Sequence, residues 1–182
     1  MSKILTIDYE TSDSRVNFGQ VLQAGIVISD DKLNIQSRHE LRCRLKPTVI
    51  PSIGACLVHK IPVNILKNSN KSHYEMVLEH YNLIKDNTPS VVMGFNQVAF
   101  DIEFYRRMLY KSLIPDVYQT NTNGNRHLDI LNVSRAAKFA DNDSIQTILN
   151  EKNRDSFRLA DLSTANKINN GTSHDAITDC LN

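Results

Sequence analysis

The chain has 182 residues, the length of one domain that can bury a sizeable core. Its hydrophobic fraction of 41% and its scarcity of Gly (6) and Pro (5) exclude a low-complexity or disordered polymer. Twenty-one basic residues face 20 acidic ones, a net charge of +1 that neither advertises nor excludes a nucleic-acid partner.

The first predicted element is the apolar β-type run Ile4-Leu5-Thr6-Ile7, which ends in Asp8-Tyr9-Glu10 and reads as a buried central strand with acids at its C-terminal end. A second apolar run spans Val21 to Ile28, and Asp30-Asp31-Lys32 closes it with a turn. Leu41, Cys43 and Leu45 alternate with Arg42, Arg44 and Lys46, predicting a third strand with one wet face, near an edge. Tyr74, Val77, Leu78, Tyr81 and Ile84 repeat at helical spacing, with Asn70 or Ser72 as cap. Pro89 precedes a short strand from Ser90 to Phe95, and a helix is expected from Phe100 to Leu113. Residues 119–125 read as an exposed loop, Leu128 to Ala140 and Arg158 to Lys167 as helices, and Asn169-Asn170-Gly171 as a turn. A last, short helix opens at Thr172, with Thr172 and Asp175 spaced as a capping box. This order predicts an α/β fold with a mixed sheet.

Three cysteines (Cys43, Cys56, Cys180) without C-x-x-C spacing argue against a zinc site or a disulfide framework and suit a reducing cytoplasm. No apolar stretch approaches the length of a membrane span, so the expectation is a soluble cytoplasmic protein without membrane contact.

Four features bear on chemistry. Asp8 and Glu10 are two apart on a strand and share a face. Two like charges there are costly to bury unpaired, and a hard divalent cation resolves that cost; a solvated strand end is the plainer alternative. Asp101 follows Gly94-Phe95-Asn96 and Phe100 at a helix start, where a helix dipole alone favours an acid. His174 and Asp179 flank a further helix start. Ser156-Phe157-Arg158-Leu159 opens an amphipathic helix.

In order, Asp-x-Glu, Asn-x-x-x-Phe-Asp and His-x-x-x-x-Asp resemble the DEDDh 3′→5′ exonuclease superfamily. DYETS, the segment Gly54 to Ile61, GFNQVAFD, RHLDILNVSRAA, SFRLADLSTAN and SHDAITD come in the order of that superfamily's bacterial exodeoxyribonuclease I members, which degrade single-stranded DNA. The resemblance implies a ribonuclease H-like α/β fold, a five-stranded mixed sheet flanked by helices with the acids at one end. It implies that Asp8, Glu10 and Asp179 hold a first divalent cation, that Asp8 and Asp101 hold a second, and that His174 is the general base. Mg²⁺ is the implied ion, with Mn²⁺ as substitute. Thr11, His59, Asn96, Phe100 and Arg158 are the implied contacts to the 3′ end of single-stranded DNA, with a single-stranded DNA-binding protein as a further partner in DNA repair. Phe100 is otherwise a plain core residue, and His59 and Arg158 have structural alternatives. Full-length relatives carry SH3-like and helical domains, so residues 1–182 are expected to be a single exonuclease domain cut from a longer protein. Two competing readings are a short-RNA exonuclease of the oligoribonuclease or ribonuclease T type and a non-catalytic nucleic-acid-binding module.

Overall fold

The computed structural model describes residues 3–168 and 176–181. The central strand, β1 (Lys3–Thr11), runs antiparallel to β2 (Val21–Ser29), which pairs in turn with β3 (Ile35–Arg42). Three helices follow, α1 (Ile53–His59), α2 (Val63–Asn68) and α3 (His73–Asp86). The chain then returns to the other side of β1 through β4 (Ser90–Gly94), parallel to it. After α4 (Asp101–Lys111), β5 (Arg126–Asp129) adds parallel to β4 and leads into α5 (Ile130–Ala140). The sheet order is β3-β2-β1-β4-β5, five strands with mixed directions.

Period-two alternation along β1 sorts its side chains. Leu5, Ile7 and Tyr9 point into the main core with Met76, Val77 and Ile84 of α3 and Ile102, Tyr105 and Leu109 of α4. Thr6, Asp8 and Glu10 take the opposite face. A ribbon of β6 (Ile148–Leu149) and β7 (Asp155–Ser156) precedes α6 (Leu159–Ala165), and α7 (Ala176–Leu181) packs against β1 and β2. No described helix is long and apolar enough to cross a membrane.

Several expectations need correction. The third strand lies earlier than Leu41–Leu45 and ends at Arg42. The alternating burial of Leu41, Cys43 and Leu45 is real. Beyond Arg42, however, the backbone bonds turn to Leu22, Lys71 and Leu66, so the segment leaves the sheet. Gln36 to Glu40 of β3 are polar residues on an edge strand and carry no apolar signal. Leu128 is in strand β5, and the helix starts at Ile130, where Asp129 accepts from the Leu131 N–H (3.1 Å) as cap. Residues 119–125 are not all exposed. Gln119, Thr120 and Asn125 are buried, because protein groups replace water as their partners: Asn125 Oδ1 accepts from the Ser90 N–H (2.8 Å), Gln119 accepts from the Tyr105 hydroxyl, and the Thr120 hydroxyl meets His127 Nε2 (2.9 Å). For α3, Ser72 is the cap, in a full capping box with Glu75. The expected turn at 169–171 and the Thr172/Asp175 capping box lie outside the described residues.

Candidate active site

The site forms where β1 ends. Asp8 and Glu10 leave β1 on the face that α7 covers, and α7 brings Asp179 over them. Carboxylate oxygens of Asp8, Glu10 and Asp179 lie within 4.8 Å of one another. The close seat of α7 depends on Gly25 in the neighbouring strand: a Cβ there would stand 2.4 Å from the Ala176 carbonyl carbon and oxygen. Gly25 is Asp8's cross-strand partner, so the residue that admits the helix sits beside the first acid. The Cys180 thiol adds contacts to the carbonyls of Thr6 (3.5 Å) and Gly25 (3.4 Å).

Asp101 arrives from the other side of the sheet as the first residue of α4, and is only 3% exposed. Its Oδ1 has no hydrogen-bond partner among the described residues. Burial raises the carboxyl well above the ordinary carboxylate range, and the neighbouring Asp8 and Glu10 raise it further. A buried acid pressed against two others at a strand end is expensive for a metal-free protein.

The loop that delivers Asp101 is rigidly held. Asp129 accepts from the N–H groups of Asn96 (3.0 Å) and Val98 (3.2 Å). Gln97 donates to the carbonyls of Val92 (2.8 Å) and Leu128 (3.0 Å), and its own carbonyl accepts from Ile102 N–H (2.9 Å). Asn96 adopts a left-handed backbone (φ 58°), which Asn tolerates better than most residues. Between the strand acids, the Tyr9 hydroxyl meets His80 Nε2 at 2.7 Å in the core. Burial lowers His80 to about 4, so the imidazole is neutral.

A cleft of about 420 Å³ opens beside the acids, lined by Asp8, Glu10, Thr11, His59, Phe100 and Asp179 among others. His59 is buried in the last turn of α1. Its Nδ1 accepts from the Ile61 N–H (2.9 Å), which leaves the proton on Nε2. That buried Nε2 has no partner among the described residues, a donor fit for a ligand oxygen.

Of the expected contacts, Thr11, His59 and Phe100 therefore line the cleft with the acids. Asn96 lies in the loop behind Asp101, and Arg158 caps α6 as an exposed residue; neither lines the cleft. His174 lies outside the described residues. Three contributors were not singled out from sequence. Gly25 could have been found as a glycine inside an apolar strand, Asp129 as an acid before a helix, and His80 as a histidine on the apolar stripe of α3.

The five-stranded mixed sheet, with Asp8, Glu10 and Asp179 gathered at the end of its central strand, has the fold of the exonuclease domain of exonuclease I. In sequence and fold the chain is like the exonuclease domain of exodeoxyribonuclease I. It is 27% identical to exodeoxyribonuclease I of Buchnera aphidicola from Acyrthosiphon pisum over 176 residues, 96% of this chain and 42% of that protein. It superposes on Escherichia coli exonuclease I in complex with a dT13 oligonucleotide with a TM-score of 0.92, at 25% identity, covering 99% of this chain and 39% of the other. A zinc-ion-bound form of the E. coli exonuclease I–single-stranded DNA complex matches with a TM-score of 0.91, 25% identity and coverage of 99% and 38%. The chain thus spans about two-fifths of the length of these relatives. No family model matches it.

Proposed function

We propose that the chain is a metal-dependent 3′→5′ exonuclease domain that degrades single-stranded DNA to nucleoside 5′-monophosphates, in DNA repair. The observation that carries this reading is the meeting of Asp8, Glu10 and Asp179 within 4.8 Å, beside a buried oxygen of Asp101 that has no partner among the described residues. The donor set fits divalent cations: hard carboxylate oxygens suit Mg²⁺ or Mn²⁺, and the zinc-bound form of the E. coli relative accords with a divalent site. Asp8, Glu10 and Asp179 would hold one ion, Asp8 and Asp101 the other. When bound, the ions lower the pKa of the attacking water and neutralise charge at the scissile phosphate.

The remaining work falls to the chain itself. His174 takes the proton of the attacking water, since imidazole is the side chain that exchanges protons near neutral pH. The water oxygen bonds to phosphorus as the P–O3′ bond breaks; the 3′ oxygen of the shortened strand takes a proton from solvent, and the released nucleotide keeps the 5′-phosphate. The His59 Nε2–H and the Thr11 hydroxyl hold the terminal nucleotide, and Phe100 offers its ring to a base. Delivery of 3′ ends by a single-stranded DNA-binding protein goes with this role.

The test is digestion of a 5′-labelled single-stranded DNA oligonucleotide with Mg²⁺. A ladder shortening from the 3′ end, abolished by EDTA, is the expected result. A ladder only on the matched RNA would replace DNA with short RNA as the substrate. No shortening of either polymer by folded protein would contradict the reading.

A further inference from the structure

Around the corner from the catalytic cleft lies a second cavity, of about 300 Å³, whose lining includes Phe18, Lys46, His73, Arg107 and Lys111 and no carboxylate. The two cavities are neighbours. Thr11 and Ser14 line the first, Asn17 and Phe18 of the same loop line the second, and Phe100 of the first packs on Phe104 of the second with ring centroids 4.9 Å apart.

Two of the basic residues are tethered, Lys46 by its backbone and Lys111 by its side chain. Gln20 Oε1 accepts from the Lys46 N–H (2.9 Å), and Lys111 Nζ donates to the Asn17 carbonyl (2.9 Å). None of the ion pairs among the described residues includes Lys46, Arg107 or Lys111. Their charges are felt within the cavity: Lys111 is lowered by burial and by Lys46 and Arg107. His73 is 5% exposed, and its Nδ1 has no partner among the described residues. Phe18 stands 69% exposed, with the Arg15 guanidinium over its ring at 5.2 Å. Clustered cations beside an exposed aromatic are what a single strand requires, phosphates on the charges and a base on the ring.

We propose that this cavity is a second subsite for single-stranded nucleic acid, in which Lys46, Arg107 and Lys111 take backbone phosphates and Phe18 stacks a base of the strand leading away from the catalytic cleft. The assignment rests on the exonuclease reading for the direction of the strand, but not for its binding chemistry.

The test compares the wild type, a K46Q/R107Q/K111Q triple variant and Phe18→Ala on fluorescein-labelled dT15 and dT3. Binding is measured by anisotropy in EDTA at several salt concentrations, and hydrolysis is measured with Mg²⁺. The trinucleotide, with only two phosphodiesters to place beyond the terminal nucleoside, serves as the control for fold and chemistry. The expected result is weaker dT15 binding by the triple variant, with the log–log salt slope shallower by about 2, since each single-strand phosphate contact contributes about 0.7. Phe18→Ala should weaken dT15 binding about tenfold. Hydrolysis of dT3 should be unchanged in both. Unchanged dT15 affinity and slope, or equal losses on dT3 and dT15, would overturn the subsite. If the wild type binds dT15 with the expected slope and hydrolyses neither oligonucleotide, the exonuclease reading fails and the subsite stands.

Discussion

Two aspartates sit at the same kind of junction, where a sheet strand gives way to a helix, and they are treated in opposite ways. Asp129 ends β5 and its carboxylate accepts three backbone N–H groups, from Asn96, Val98 and Leu131. Asp101 opens α4, more deeply buried, with one oxygen unpartnered among the described residues, and burial and two further acids raise its pKa. Asp129 is satisfied by the folded chain. Asp101 keeps an oxygen that no described residue satisfies. The difference separates an acid that builds the loop from an acid that the loop presents.

The sharpest way to break this comparison is to neutralise each in turn. Asp101→Asn should lower single-strand hydrolysis about a thousandfold, because several kcal/mol of charge stabilisation disappear. Its metal-free thermal stability should not fall, since a strained carboxylate is removed. A large loss of stability would mean that Asp101 is structural after all. Gly25→Val should come next, at about a hundredfold loss of activity. The side chain would push α7 off the sheet and carry Asp179 away, and misplacement by an ångström is enough for such a loss. Activity near wild type would show that α7 need not seat closely. Asp129→Ala should give the reverse pattern, about 3 kcal/mol of stability lost in denaturant melts as buried N–H groups lose a charged acceptor. A neutral result would remove the contrast.

The most gradual effect, spread over a range of pH, concerns the buried histidines. Burial holds His80 at about 4, and burial with Lys46 and Lys111 nearby holds His73 at about 4. Both folded values lie below the unfolded one, so the unfolded chain binds protons first as pH falls. Their contribution is intact above about 6.5 and is lost between about 6.5 and 4, by about 1.4 kcal/mol per pH unit for each group. Denaturant melts across that range should show the slope, and His80→Leu should flatten it. A slope unchanged by that substitution would place the proton uptake elsewhere.

Much of this was legible in the residues, and the exceptions have physical reasons. β1, β2, α3 and α4 follow from apolar runs and helical spacing. β3 was displaced because an edge strand with polar residues on both faces lacks an apolar pattern. In the sequence the end of β5, from Leu128, reads as part of the helix, because four residues between a polar loop and a helix hold too little periodicity. The α1–α2 pair and the two-residue strands β6 and β7 are too short to show any. At the site, Asp8 and Glu10 were visible as a pair on one strand face. No local pattern linked them to Asp179, 169 or more residues away in sequence, and only the ordered resemblance joined them. The roles of Gly25 and Asp129 depend on backbone approach and loop anchoring across the fold, which no single segment encodes.

The most direct measurement of the central claim is a calorimetric titration of the folded chain with Mn²⁺, beside Asp8→Ala. If the strand-end acids are gathered to hold divalent cations, the wild type will bind Mn²⁺ and the variant, folded but lacking the acid shared by both proposed ions, will lose that binding. Equal heats from the two proteins, or none from either, would contradict the account.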